Sequence, residues 1–150
     1  MDTARIDRII DGHGGEASSL IQVLLEIQHE NHWLPKEALD RVAERLQVPL
    51  SRIQHIATFY KAFSLVPKGR HQVHVCVGTA CHVRGATRIL DTLQEQTGIM
   101  PGETDLDLNF SLETVNCLGC CALGPVMVVD GKTFGKLTPA ESAEALKGYK

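Results

Sequence analysis

The 150-residue chain reads as an α/β protein in two parts, a helical N-terminal segment followed by a small mixed α/β domain. Three observations predict this. Apolar residues recur at helical spacing from about Ala17 to Phe63. Val66-Pro67-Lys68-Gly69 then interrupts that period and makes a linker. Beyond it Val73, Val75 and Val77 alternate with His74 and Cys76, the period-2 pattern of a strand. The expected organisation is a three-helix bundle over residues 1–66 and a second domain over 67–150.

The helices follow in order. Leu20, Val23, Leu24 and Ile27 occupy i, i+3, i+4 and i+7, one helix face. Leu39, Val42, Ala43 and Leu46 repeat the pattern in a helix that Pro35 is expected to open at its first position. Ile53, Ile56, Ala57 and Tyr60 repeat it after Pro49, which places Tyr60 in the core. The charges Asp2, Arg5, Asp7 and Arg8 break up the apolar residues of the N-terminus, and the helical reading begins at about Ala17.

In the second domain, the strand ending at Cys76 leads to a helix expected over about Arg84 to Gln96. A strand is expected over Asp107–Leu112 and another over Pro125–Val129. Asp130-Gly131 signals a two-residue hairpin into Lys132–Gly135. Thr138, Pro139 and Glu141 supply a cap, a proline at the first helical position and the N3 acid of a capping box.

Composition narrows the function. Net charge is −3, and aromatic residues make up 5%, which argues against nucleic acid. The N-terminus lacks the apolar stretch of a secretory signal. No apolar run reaches the ~18–20 residues of a membrane helix. The expectation is a cytoplasmic protein with no direct membrane insertion. Disulfides are rare there, so five cysteines call for metal or redox chemistry.

They form two clusters, Cys76-x4-Cys81 and Cys117-x3-Cys121, with Cys120 inside the second. The first begins at a strand end and the second lies between two strands. Both loops are expected to open at one end of the sheet, bringing four thiolates around one centre as iron–sulfur ligation requires. Gly78, Gly119 and Gly124 let backbone N–H groups approach the sulfurs. Spacing leaves Cys120 and Cys121 both open as the fourth donor. Zinc in an adaptor module fits less well, because only Cys117-x2-Cys120 has two intervening residues. A thiol–disulfide oxidoreductase using Cys117 and Cys120 would want its pair at a helix N-terminus, not between strands. A Rieske site lacks histidines beside the second cluster. His82 is read equally as a cluster neighbour or a solvated residue, and Arg84 as a charge near the cluster or a solvated one. Trp33 and Phe59-Tyr60 are candidates for a docking surface.

Several segments together carry a family resemblance: Ile27-Gln28, Trp33-Leu34-Pro35, Ala57-Thr58-Phe59-Tyr60 with Phe63, Val75 through Ala86, Asn116 through Pro125, and Gly135 through Pro139. Over nearly its whole length the chain resembles the thioredoxin-like [2Fe–2S] subunits of NADH-linked oxidoreductases. These include the peripheral cluster subunit of complex I and the gamma-type subunits of NAD(P)-linked hydrogenases and formate dehydrogenases. The resemblance implies a thioredoxin-like domain holding one [2Fe–2S] cluster on Cys76, Cys81, Cys117 and Cys121, with Cys120 a non-ligand thiol. It also implies a non-catalytic electron relay docked on a flavoprotein subunit that binds FMN and NAD(P)H, among further iron–sulfur subunits. In keeping with that, this chain has no G-x-G-x-x-G after a strand and no P-loop.

Overall fold

Sixty-odd N-terminal residues form four helices, one more than the sequence periodicity announces, in a computed structural model that describes residues 2–149. They are α1 (Thr3–Gly12), α2 (Leu20–Asn31), α3 (Lys36–Leu46) and α4 (Leu50–Phe59). The extra helix is α1. Its Ile6, Ile9 and Ile10 are buried, while Asp7 between them is half-buried and Arg8 exposed. Its carboxylates hold it in place: Arg41 donates two hydrogen bonds of 2.8 Å to the Asp7 carboxylate, and Arg45 reaches Asp11 at 2.5 Å. Asp7 and Asp11 thus tie the helix to α3. Val23, Leu24 and Ile27 of α2 are fully buried, and each such side chain contributes about 1.5–3 kcal/mol.

Two local expectations move. Pro35 caps α3 from one residue ahead, because its extended ψ of 149° lies outside the helix. Tyr60 is not in the core. The helix stops at Phe59, Tyr60 turns extended, and its ring is 46% exposed. Gln28 explains one motif residue: its amide donates to the His32 carbonyl at 2.6 Å and accepts from the Ser64 N–H at 2.9 Å. It straps the segment after α4 against the end of α2.

The chain divides into two compact units at Pro67/Lys68. The second unit runs β1 (His71–Cys76), α5 (Thr79–Val83), α6 (Ala86–Thr97), β2 (Phe110–Val115), β3 (Met127–Val129), β4 (Lys132–Phe134) and α7 (Pro139–Lys147). The strand order is β2-β1-β3-β4. β1 and β2 are parallel, with Val73 opposite Leu112 and Cys76 opposite Val115. β3 runs antiparallel to both β1 and β4. Val73, Val75, Leu112, Met127 and Val129 pack on Ile89 and Leu93 of α6 and Leu146 of α7.

The element order matches expectation apart from one added helix, with shifted boundaries. The helix expected over about Arg84 to Gln96 is α6, and α5 precedes it unpredicted, separated from it at Gly85, whose φ of 104° breaks the helix. The strand expected at Asp107–Leu112 starts at Phe110 instead. One oxygen of Asp105 accepts the N–H groups of Asn109 and Phe110, making a turn of the residues read as strand. Asp130 and Gly131 both have positive φ, as the two-residue hairpin requires. The capping box of α7 is present with both reciprocal hydrogen bonds. Among the described residues no helix is long and apolar enough to cross a membrane.

Candidate metal centre

Parallel pairing decides where the cysteines go. β1 and β2 end at the same edge of the sheet, so the loop after Cys76 and the loop after Val115 leave side by side. Cys76 is the last residue of β1 and Cys81 lies in α5; both are buried. Cys117 and Cys121 lie in the connection from β2 to β3 and are exposed. Backbone hydrogen bonds join the edges, Val77 N–H to the Val115 carbonyl at 2.9 Å and Cys76 N–H to that of Val126 at 3.0 Å. At Gly78 the loops touch: a Cβ there would lie 2.6 Å from the Asn116 carbonyl oxygen. Only glycine permits that approach.

The sulfurs sense one another. Burial pushes the Cys76 thiol up, but the N–H groups of Gly78 and Leu118 and the thiols of Cys81 and Cys117 outweigh it, leaving Cys76 below the ordinary cysteine range. Burial, then the neighbouring Cys76 thiol, pushes Cys81 up, with the charge of Cys121 adding to the effect. The Cys76 and Cys81 thiols are thus pushed in opposite directions, and Cys117 and Cys121 both act on this pair. Gly119 donates its N–H to Cys117 Sγ at 3.3 Å. At Gly124 a Cβ would stand 3.1 Å from Cys81 Sγ, so the sulfur fills the space a side chain would take. The expectation that these glycines aim backbone N–H groups at sulfur holds at Gly78 and Gly119, whereas the Gly124 N–H donates to the Cys121 carbonyl at 3.2 Å.

Cys120 differs. Its thiol faces the Leu118 carbonyl at 3.6 Å and packs against the small apolar cluster of Cys76, Cys81, Ala86 and Val126. His82 is exposed on α5. Arg84 does more than reach solvent: it donates to the Cys121 carbonyl at 2.7 Å and so clips the second loop to the first. A further brace was missed in the sequence. Lys136 N–H donates to the Leu123 carbonyl at 2.5 Å and Leu137 N–H to that of Pro125 at 3.3 Å. Gly135 was its signal, for a Cβ there would strike Leu123 at 2.8 Å.

Among the described residues no three His, Cys, Asp or Glu side chains close on a single point as ligands of one ion. The four thiols lie in two neighbouring loops at one sheet edge, the donor set that a [2Fe–2S] core takes. Soft sulfur donors, inward amides and a buried floor all fit such a core. A parallel pair of strands opening cysteine loops at one sheet edge defines the class: an iron–sulfur electron carrier on a thioredoxin-like scaffold. The sequence pattern of the thioredoxin-like [2Fe–2S] ferredoxins matches residues 6–150. The chain belongs to that family, carries its [2Fe–2S] cluster and works in electron transfer.

Relatives place it further. It is 38% identical over 130 residues to the NADP-reducing hydrogenase subunit HndA of Solidesulfovibrio fructosivorans, covering 87% of this chain and 76% of that one. It is 36% identical over 130 residues to the E-type subunit of NADH-quinone oxidoreductase from Escherichia coli strain K12, covering 87% and 78%. A crystal structure of an NAD+-reducing [NiFe]-hydrogenase in the air-oxidised state shares the fold, with a TM-score of 0.75 at 21% identity. That match covers 87% of this chain but only 22% of the hydrogenase chain, so this protein spans about a fifth of its length.

Proposed function

We propose that Cys76, Cys81, Cys117 and Cys121 hold the cluster, and that the chain relays single electrons inside a multisubunit NAD(P)H-linked oxidoreductase. The observation that carries the ligand set is the sheet edge itself, where two loops present four thiols with backbone N–H groups aimed at Cys76 and Cys117. Cys120 turns its thiol into the apolar floor, which favours Cys121 as the fourth donor and disfavours a Cys117–Cys120 dithiol. A bound [2Fe–2S] cluster supplies one-electron oxidation and reduction. The chain's residues do the rest. Buried Cys76 and Cys81 exclude water from one side, and the amides of Gly78, Leu118 and Gly119 offset negative charge on sulfur. The guanidinium of Arg84 adds a positive charge beside the second loop.

The relatives support the assembly: two are subunits of pyridine-nucleotide-linked complexes. We assign docking to residues 1–66 and the cluster to residues 67–150. The expected partners are a flavoprotein subunit binding FMN and NAD(P)H and further iron–sulfur subunits, in the cytoplasm. No bond of a substrate is made or broken by this chain. Anaerobic purification tests the reading. A red-brown protein with roughly two irons and two sulfides per chain is expected, as a [2Fe–2S] core demands. A colourless, iron-free preparation overturns it.

A further inference from the structure

We propose that the exposed aromatic ridge at the end of α4 is the surface on which another protein chain of the assembly docks, one presenting an apolar socket rimmed by carboxylates. The proposal rests on the reading of this chain as a subunit of a larger complex. Phe59 is 70% exposed and Tyr60 46%, neighbouring aromatic rings left open at the end of the helix. The rings are ordered. Phe59 and Tyr60 meet edge to face at 5.0 Å, and Tyr60 stands edge to face on buried Phe63 at 6.3 Å. The strap from Gln28 to Ser64, with the Leu34 N–H donating to the Ser64 carbonyl at 2.7 Å, fixes the segment that follows. A ridge held this way loses little conformational freedom on binding, which favours affinity.

Charge identifies the partner. Within the first unit, residues 45–67 contain Arg45, Arg52 and Lys61 and no Asp or Glu. The chain is acidic overall, yet this segment has no negative charge. Arg52 and Phe59 lie seven residues apart on one face of α4, and Lys61 follows Tyr60 directly. Both basic residues are exposed, and neither enters an ion pair among the described residues. An apolar ridge flanked by unpaired cations matches an acidic rim and repels a basic one. A second copy of the same ridge would bring like charges together, so self-association is disfavoured.

The test uses the tagged full chain in its native assembly. A photoreactive benzoyl-phenylalanine replaces Phe59, the complex is irradiated at low salt, and the linked peptide is sequenced. The expected product joins this chain to a different polypeptide, within a segment where Asp and Glu outnumber Lys and Arg. In the R52E/K61E double variant, retention of that polypeptide should fall about tenfold or more at physiological salt. Retention by the unaltered chain should weaken as salt rises, because rim charges are screened beyond about 8 Å at 0.15 M. Cross-links to a second copy, cross-links into a basic segment, or salt-independent retention overturn the proposal. The visible spectrum separates the two layers: a chain without iron–sulfur absorption refutes the relay. A chain with that absorption but none of these losses refutes the docking surface alone.

Discussion

Cys76 and Cys81 sit on a strand end and a helix, 3% and 2% exposed, whereas Cys117 and Cys121 lie exposed in a connection whose only regular piece is a single 3₁₀ turn. The first pair is held by elements that would exist without any cluster: β1 is hydrogen-bonded on both sides, and Ala86 and Val126 pack beneath the sulfurs. The second pair has no such scaffold. Its loop is held by clips from elsewhere: the Arg84 guanidinium, the close approach at Gly78, and the Lys136–Leu123 and Leu137–Pro125 hydrogen bonds. One half of the candidate site is therefore built on secondary structure, and the other is held by tertiary braces. Binding to a partly formed site couples cofactor affinity to local folding.

The largest test of this contrast removes sulfurs. Cys121→Ala should abolish or strongly alter the electron paramagnetic resonance signal of the reduced cluster, while Cys120→Ala leaves it largely intact. The reverse outcome would show that the apolar packing of Cys120 does not persist when the cluster is bound. Next comes Gly78→Ala, which forces a Cβ against the Asn116 carbonyl. Overpacking of this kind costs about 1–3 kcal/mol, and it should appear as a lowered melting temperature together with reduced iron content. A fall in melting temperature with full iron content would mean that the loops separate without disturbing the ligands.

Arg84→Gln is a smaller perturbation. It removes both the clip on Cys121 and a positive charge, so the midpoint potential should move negative by the equivalent of about 0.2–1 kcal/mol, the range for exposed charges. Redox titration reads it; an unchanged potential would leave Arg84 only the clip. The smallest effect concerns the brace after β4. The Thr138 N–H, then its hydroxyl, hold the Glu141 carboxyl below the ordinary glutamate range. A group depressed in the folded state stabilises above its unfolded pKa, and the gain disappears as pH falls through the folded value. Thermal melts should therefore show stability declining as pH drops through and below the usual glutamate range. Glu141→Gln should flatten that decline, and an identical slope in the variant would remove the capping box from the account.

Much of this was legible residue by residue. Two cysteine clusters with flanking glycines pointed to the site because sulfur donors and close backbone approach are local properties of a sequence. The α7 cap was legible because Thr138, Pro139 and Glu141 satisfy each other within four residues. Helix α1 was not read from the sequence, and it is held by Arg41 and Arg45 of α3, which reach its Asp7 and Asp11 from more than thirty positions away. Tyr60 misled because periodicity says nothing about where a helix stops. Strand β2 was shifted because the Asp105 turn uses a side chain to mimic backbone pairing.

By itself, then, the amino-acid order determined the helical periods, the hairpin at Asp130-Gly131, the α7 cap and which side chains carry sulfur, because each depends on neighbours within about one turn. Only the tertiary structure decided that Cys76 and Cys117 share an edge, that Cys120 faces inward, and that Arg84, Gly78 and Lys136 brace the second loop. Those relations join residues from 13 (Leu123 and Lys136) to 41 (Cys76 and Cys117) positions apart, and parallel pairing brings the two cysteine loops together through a crossover that no local pattern encodes.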